Sequence, residues 1–172
     1  MKRILLLLLF SSLLTMCKST PVGGNGKPHE EGTSKNEDKK DELYYTEQVK
    51  NDFRSVPESG KKKFLEGYKA TESQYSILFF TQGFSGEQLT VKNSQGTVYK
   101  GSVFTNNKTG LAKNMRIINT ENNSIFDQAT KKTIYIDTKL ASKHKFIYVM
   151  KDLSNKEKPY KITYSDLLRP EQ

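Results

Sequence analysis

Two histidines, His29 and His144, and one cysteine, Cys17, are the scarce reactive side chains of this 172-residue chain. Neither histidine has a second one near it in sequence, so a metal site or a serine–histidine pair would have to be completed from distant segments. His144 reads more simply as a surface histidine in a basic loop. A lone cysteine excludes an internal disulfide framework and a multi-cysteine zinc site. Asp127 and Asp137 could meet across neighbouring strands, which would give paired-acid chemistry or a calcium site. Strand ends commonly carry Asp as a turn residue, and that is the favoured reading for both. Gly83-Phe84-Ser85-Gly86-Glu87 comes one position short of a nucleophile elbow, with its final glycine displaced and no helix pattern following. It reads as a turn between strands. No glycine-rich loop opens a helix, so no phosphate cradle is expected, and the residues call for no catalytic group, metal or cofactor.

Charge offers a second kind of chemistry. Residues 18–72 balance 11 Lys and Arg with 11 Asp and Glu, whereas residues 73–172 carry 15 against 8. The basicity therefore belongs to the C-terminal part. Lys131-Lys132 and Lys143 with Lys145 flank two apolar runs, Thr133 to Thr138 and Lys145 to Lys151. If those runs pair through a turn over Leu140 to His144, the four lysines form a stripe able to contact an anionic surface or ligand. Lysines guarding exposed strand edges are the plainer explanation.

The first residues say where such a domain would act. Lys2 and Arg3 precede Ile4 to Met16, a run of 13 residues interrupted only by Ser11, Ser12 and Thr15. A bilayer span needs about 20 apolar residues, so this run fits the apolar core of an export signal. It ends in Leu13-Leu14-Thr15-Met16-Cys17, and here it resembles the signal of bacterial lipoproteins, departing from it at Met16, where a small residue is usual. The resemblance covers the first 17 residues and implies removal of residues 1–16 and lipid attachment at Cys17. It also implies anchoring to a membrane of the bacterial envelope. Lys18 in place of Asp favours the outer membrane by the same resemblance.

Export makes nucleic acid an unsuitable partner for the basic domain and leaves an envelope protein or an acidic glycan. The expected function is a membrane-anchored, non-catalytic binding or interaction module. The alternative is a small envelope hydrolase, or an enzyme acting on acidic glycans, with an unrecognised site.

The elements that would position these groups begin after a long polar stretch. From Lys18 to Glu42 the one aliphatic side chain is Val22, too little apolar surface to offset ordering entropy. Residues 17–42 are expected to be a lipidated disordered tether. Residues 43–72 read as transitional, with Tyr45, Val49, Phe53 and Val56 at near-helical spacing and Pro57 as a stop.

Residues 73–172 change texture to short runs rich in Ile, Val, Tyr and Phe, punctuated by Gly and Asn. Eight strands are expected: Tyr75 to Gln82, Glu87 to Asn93, Thr97 to Thr105, Met115 to Asn119, Ser124 to Asp127, Thr133 to Thr138, Lys145 to Lys151 and Tyr160 to Tyr164. Asn93-Ser94-Gln95-Gly96 should form a tight hairpin. Without crossover helices, parallel pairing is disfavoured. The expected fold is an all-β antiparallel sandwich of about seven or eight strands, immunoglobulin-like or jelly-roll-like, with an open barrel as the alternative.

Overall fold

The computed structural model describes residues 43–170, so the signal, Cys17 and the tether lie outside the described residues. In chain order the elements are β1 (Tyr45–Val49), α1 (Glu58–Gly67), β2 (Tyr75–Phe80), β3 (Ser85–Asn93), β4 (Gly96–Phe104) and β5 (Lys113–Ile118). They continue with β6 (Asn123–Asp127), β7 (Lys132–Ile136), α2 (Thr138–Ala141), β8 (Phe146–Lys151) and β9 (Tyr160–Ser165). Each of the eight expected strands is present, and β1 is an addition.

The strands form a five-stranded sheet, β1-β9-β8-β2-β5, and a four-stranded sheet, β4-β3-β6-β7. Alternation along each strand sends one set of side chains between the sheets. Leu78, Phe80, Leu89, Val91, Ile125, Ile134, Ile147, Val149 and Ile162 form that inner core, all fully buried or nearly so. The intervening residues of the five-stranded sheet, Ile77, Phe79, Phe146 and Tyr148, point the other way and are packed under Val56, Phe64, Leu65 and Leu168. Both faces of this sheet are therefore covered. That explains why β2 and β8 read as nearly continuous apolar runs rather than alternating ones.

Three expectations need correction. First, the sheets are not wholly antiparallel: β1 runs parallel to β9, and β2 runs parallel to β8. Parallel pairing needs a long crossover, and between β2 and β8 it is made chiefly of strands, β5 and those of the opposite sheet, and ends in the single turn of α2. Second, Tyr45 and Val49 do not share a helix with Phe53 and Val56. Tyr45 lies in the inner core, while Phe53 and Val56 pack on the outer face. β1 exists because β9, more than a hundred residues later, offers it a ladder, so the folded body begins well before Ser73. Third, β7 and β8 are not a hairpin. β7 pairs with β6 in one sheet and β8 pairs with β9 and β2 in the other.

Helix α2 makes that crossing. Its cap is Asp137, whose Oδ1 accepts from Leu140 N at 2.8 Å. Helix α1 follows Pro57, whose extended φ and ψ suit a helix entrance. It carries Lys62 and Lys63 outward and lays Phe64 and Leu65 on the sheet, with Tyr68 packing beside them from the C-cap. The hairpin between β3 and β4 turns where expected: Asn93 Oδ1 accepts from Gln95 N and Gly96 N, and Gly96 has φ +135°.

Candidate functional site

The carboxylates singled out by sequence are separate structural caps. The β6–β7 register pairs Asp127 with Lys132 and Asn123 with Ile136, which puts Asp127 and Asp137 at opposite ends of the hairpin. Asp127 is fully buried. Its Oδ2 accepts from Tyr160 Oη and Thr130 Oγ1, and its Oδ1 from Ala129 N, all at 2.8–2.9 Å. Burial raises the pKa of Tyr160, and the Asp127 acceptor pushes it the same way, so the phenol remains a donor. The notion of an acid pair or calcium site at these two residues is thereby overturned.

His144 sits beside an acid but not beside a nucleophile. Its Nδ1 lies 3.2 Å from Asp166 Oδ2, while Ser76 donates to the His144 backbone carbonyl at 2.8 Å instead of to the ring. The near-elbow at Gly83–Glu87 is the end of the β2–β3 turn and the start of β3. Glu87 leaves it to meet Lys151 Nζ in a pair whose side chains are 8% and 14% exposed. Burial opposes ionisation of Glu87, but the bonds from Lys151 and from Ser85 N outweigh it and hold the carboxyl below its ordinary range.

The four lysines of the expected stripe do not share one sheet. Lys131 adopts φ +58° in the β6–β7 turn, and Lys132 opens β7 with its ammonium 5.9 Å from the Tyr44 ring centroid. Lys143 and Lys145 lie past the other end of β7, between α2 and β8. Lys145 Nζ is occupied by the carbonyls of Glu72 and Tyr75, and its burial lowers its pKa despite the Glu72 charge. Among the described residues, no group of three or more His, Cys, Asp or Glu could hold a metal ion. No described helix is long and apolar enough to cross a membrane.

A groove of about 830 Å³ opens on the outer face of the five-stranded sheet, within the size range of small-molecule sites, roughly 300–1,000 Å³. One cross-strand row forms much of its floor. Pairing of β2 with β8, β8 with β9 and β9 with β1 aligns Phe79, Tyr148, Thr163 and Gln48. The row is aromatic at one end and polar at the other. Phe79 and Tyr148 stack with centroids 4.8 Å apart, and Phe64 of α1 stacks on Phe79 at 5.9 Å. At the polar end Gln48 Nε2 donates to Thr163 Oγ1 at 2.9 Å.

Four cations line the same groove, Lys50, Arg54, Lys161 and Arg169, and its lining contains no carboxylate. The Arg169 guanidinium is held between the rings of Phe53 and Tyr148, 4.2 and 4.3 Å from their centroids. Burial lowers its pKa, partly offset by Tyr148 and Asp52. An arginine nevertheless stays charged at neutral pH. Its Nε is buried without a hydrogen-bond partner among the described residues. Tyr148 is fixed by donating to Leu167 O and accepting from Arg169 N. Burial pushes its phenol up to about 12 against the influence of Arg169.

Sequence reasoning missed this groove. The available signal was the two-faced apolar character of β2 and β8, which required a covering layer on the far side of their sheet. A scan against protein-family models matches nothing, and searches of curated proteins and of solved structures return no match. The argument for a binding function therefore rests on the geometry of the groove.

Proposed function

We propose that the chain is a lipid-anchored protein of the bacterial envelope whose folded part is a non-catalytic binding module, with the outer-face groove as its ligand site. The observation that carries this reading is the lining itself: an aromatic floor, four cations and no carboxylate, histidine or cysteine. Such a surface favours an anion electrostatically and holds apolar area against rings. It offers no acid–base pair for turnover.

Anchoring rests on the order of charged, apolar and cysteine residues in the first 17 positions. Acyl chains at Cys17 would hold the protein at the membrane without a spanning helix. Lys18 supports an outer-membrane destination.

Two measurements test the two halves. Metabolic labelling with a radioactive fatty acid should mark the wild-type chain and not Cys17→Ala, and equal labelling of both refutes the anchor. For the groove, the anionic dye 1-anilinonaphthalene-8-sulfonate should bind the chain from Lys18 onward saturably. Its amide NMR shifts should gather at Thr81, Gln82, Gly110, Met150 and Lys161. Shifts gathered instead on the outer face of the four-stranded sheet, at Thr90, Phe126 and Tyr135, would refute the groove.

A further inference from the structure

We infer that the ligand of this groove is a single-chain amphiphilic carboxylate of the fatty-acid class, its chain on the aromatic half of the floor and its carboxylate on the polar half. This rests on the reading of the groove as a binding site and specifies what it binds.

The sheet register builds the two halves. Phe79 and Tyr148 occupy β2 and β8, and Phe64, Val56, Leu111 and Leu168 wall that side of the groove. The only polar atom on the Phe79–Tyr148 pair is the Tyr148 hydroxyl, already committed to Leu167 O and Arg169 N. A sugar stacked on this pair would set hydroxyls against ring faces that offer them no partner, which costs free energy. An alkyl chain incurs no such cost and buries apolar area.

Across the sheet the chemistry reverses. Thr163 and Gln48 are neighbours on β9 and β1. On the same face, two residues along each strand, stand Lys161 and Lys50. The hydrogen-bonding pair is thus flanked by two ammonium groups, that of Lys50 also lying 3.4 Å from Asp52 Oδ1. Arg169 lies over Tyr148, at the boundary between the halves, with Nε lacking an acceptor. A buried donor without a partner is costly, and a carboxylate is the planar acceptor that a guanidinium fork fits best. Two rings hold the fork in place before any ligand arrives, so little side-chain freedom is lost on binding.

The proposal separates from its alternatives by competition against the groove dye, using the chain from Lys18 onward, which contains every described residue. Laurate below its micellar concentration should displace the dye with one molecule per chain. Acetate, which has the head without the chain, should be weaker by about a thousandfold or more. 1-Dodecanol, which has the chain without the charge, should be weaker than laurate by about tenfold or more. Arg169→Gln and Lys161→Gln should each reduce the preference for laurate over dodecanol, read as the ratio of the two affinities within the same variant, by about fivefold or more. Lys161 is a partly exposed strand residue, so its replacement probes the head site without disturbing the stacked rings.

Equal binding of laurate and dodecanol, or a laurate preference unchanged in both variants, overturns the inference. So does displacement by an oligogalacturonate and not by laurate, which would assign an acidic glycan while leaving the groove reading intact. If the dye does not map to the groove, the groove reading has failed before the choice of ligand is reached.

Discussion

At the scale of single residues, the buried ion pair between Glu87 and Lys151 gives the most direct pH prediction. The ordinary glutamate value is 4.5, and the folded value lies below it because Lys151 and Ser85 N stabilise the anion more than burial penalises it. The pair's contribution is therefore complete above about pH 4.5 and is lost as the pH falls through the lower folded value. Glu87→Gln strands the Lys151 ammonium, 14% exposed, without its counter-charge. Urea unfolding at pH 7 should show a loss of about 3 kcal/mol, the cost of breaking a buried pair from one side. As the pH is lowered from 4.5 the gap between wild type and variant should narrow progressively. A pH-independent gap would mean that packing and not charge holds the pair.

At the scale of elements, the β2–β3 turn depends on Gly83. Its φ is +85°, and a Cβ built there would lie 1.9 Å from the Lys151 backbone oxygen at the end of β8. Gly83→Ala combines a strained backbone with a backbone clash, each worth roughly 1–3 kcal/mol. Thermal unfolding should show a loss of about 3 kcal/mol or more, whereas Gly67→Ala, with open space at its Cβ, should be tolerated. The β1–β9 pair depends on a side chain as well as its ladder. Tyr164 Oη donates to Glu47 Oε1 at 2.6 Å and accepts from Asp137 N at 2.8 Å. It thereby connects β1 on one side to the cap of α2 on the other.

At the scale of the whole molecule, the folded body needs residues before Ser73. β1 completes the edge of the five-stranded sheet, and α1 with residues 53–56 covers its outer face. A chain of residues 73–172 would expose Ile77, Phe79, Phe146 and Tyr148 to water. Fully burying an aliphatic or aromatic side chain contributes roughly 1.5–3 kcal/mol, so four such exposures approach the 5–15 kcal/mol stability of a typical domain. Residues 40–172 should give a cooperative unfolding transition and dispersed amide resonances. Residues 73–172 should give neither, and a cooperative transition from the shorter chain would contradict the three-layer description.

Much of the secondary structure was legible because strand formation leaves a local mark. Tyr160, Ile162 and Tyr164 alternate with Lys161 and Thr163, and Asn93 to Gly96 spells a turn in adjacent residues. The two-sheet β character followed from those marks and from the short runs rich in Ile, Val, Tyr and Phe around them.

Pairing was not legible, because it joins residues by distance in space. Nothing in Tyr45 to Val49 distinguishes a helix turn from an edge strand until β9 supplies its partner. Nothing between Ile136 and Phe146 announces a crossing from one sheet to the other. The groove lay deeper in the same difficulty. Gln48, Phe79, Tyr148 and Thr163 come from four strands, and Phe53 and Arg169 meet around one ring although 116 positions separate them. The sequence determined which segments after Ser73 become strands and which faces are apolar; tertiary structure alone decided that Tyr45–Val49 joins them and which faces meet, because those choices depend on a distant partner strand and on burying both sides of one sheet at once.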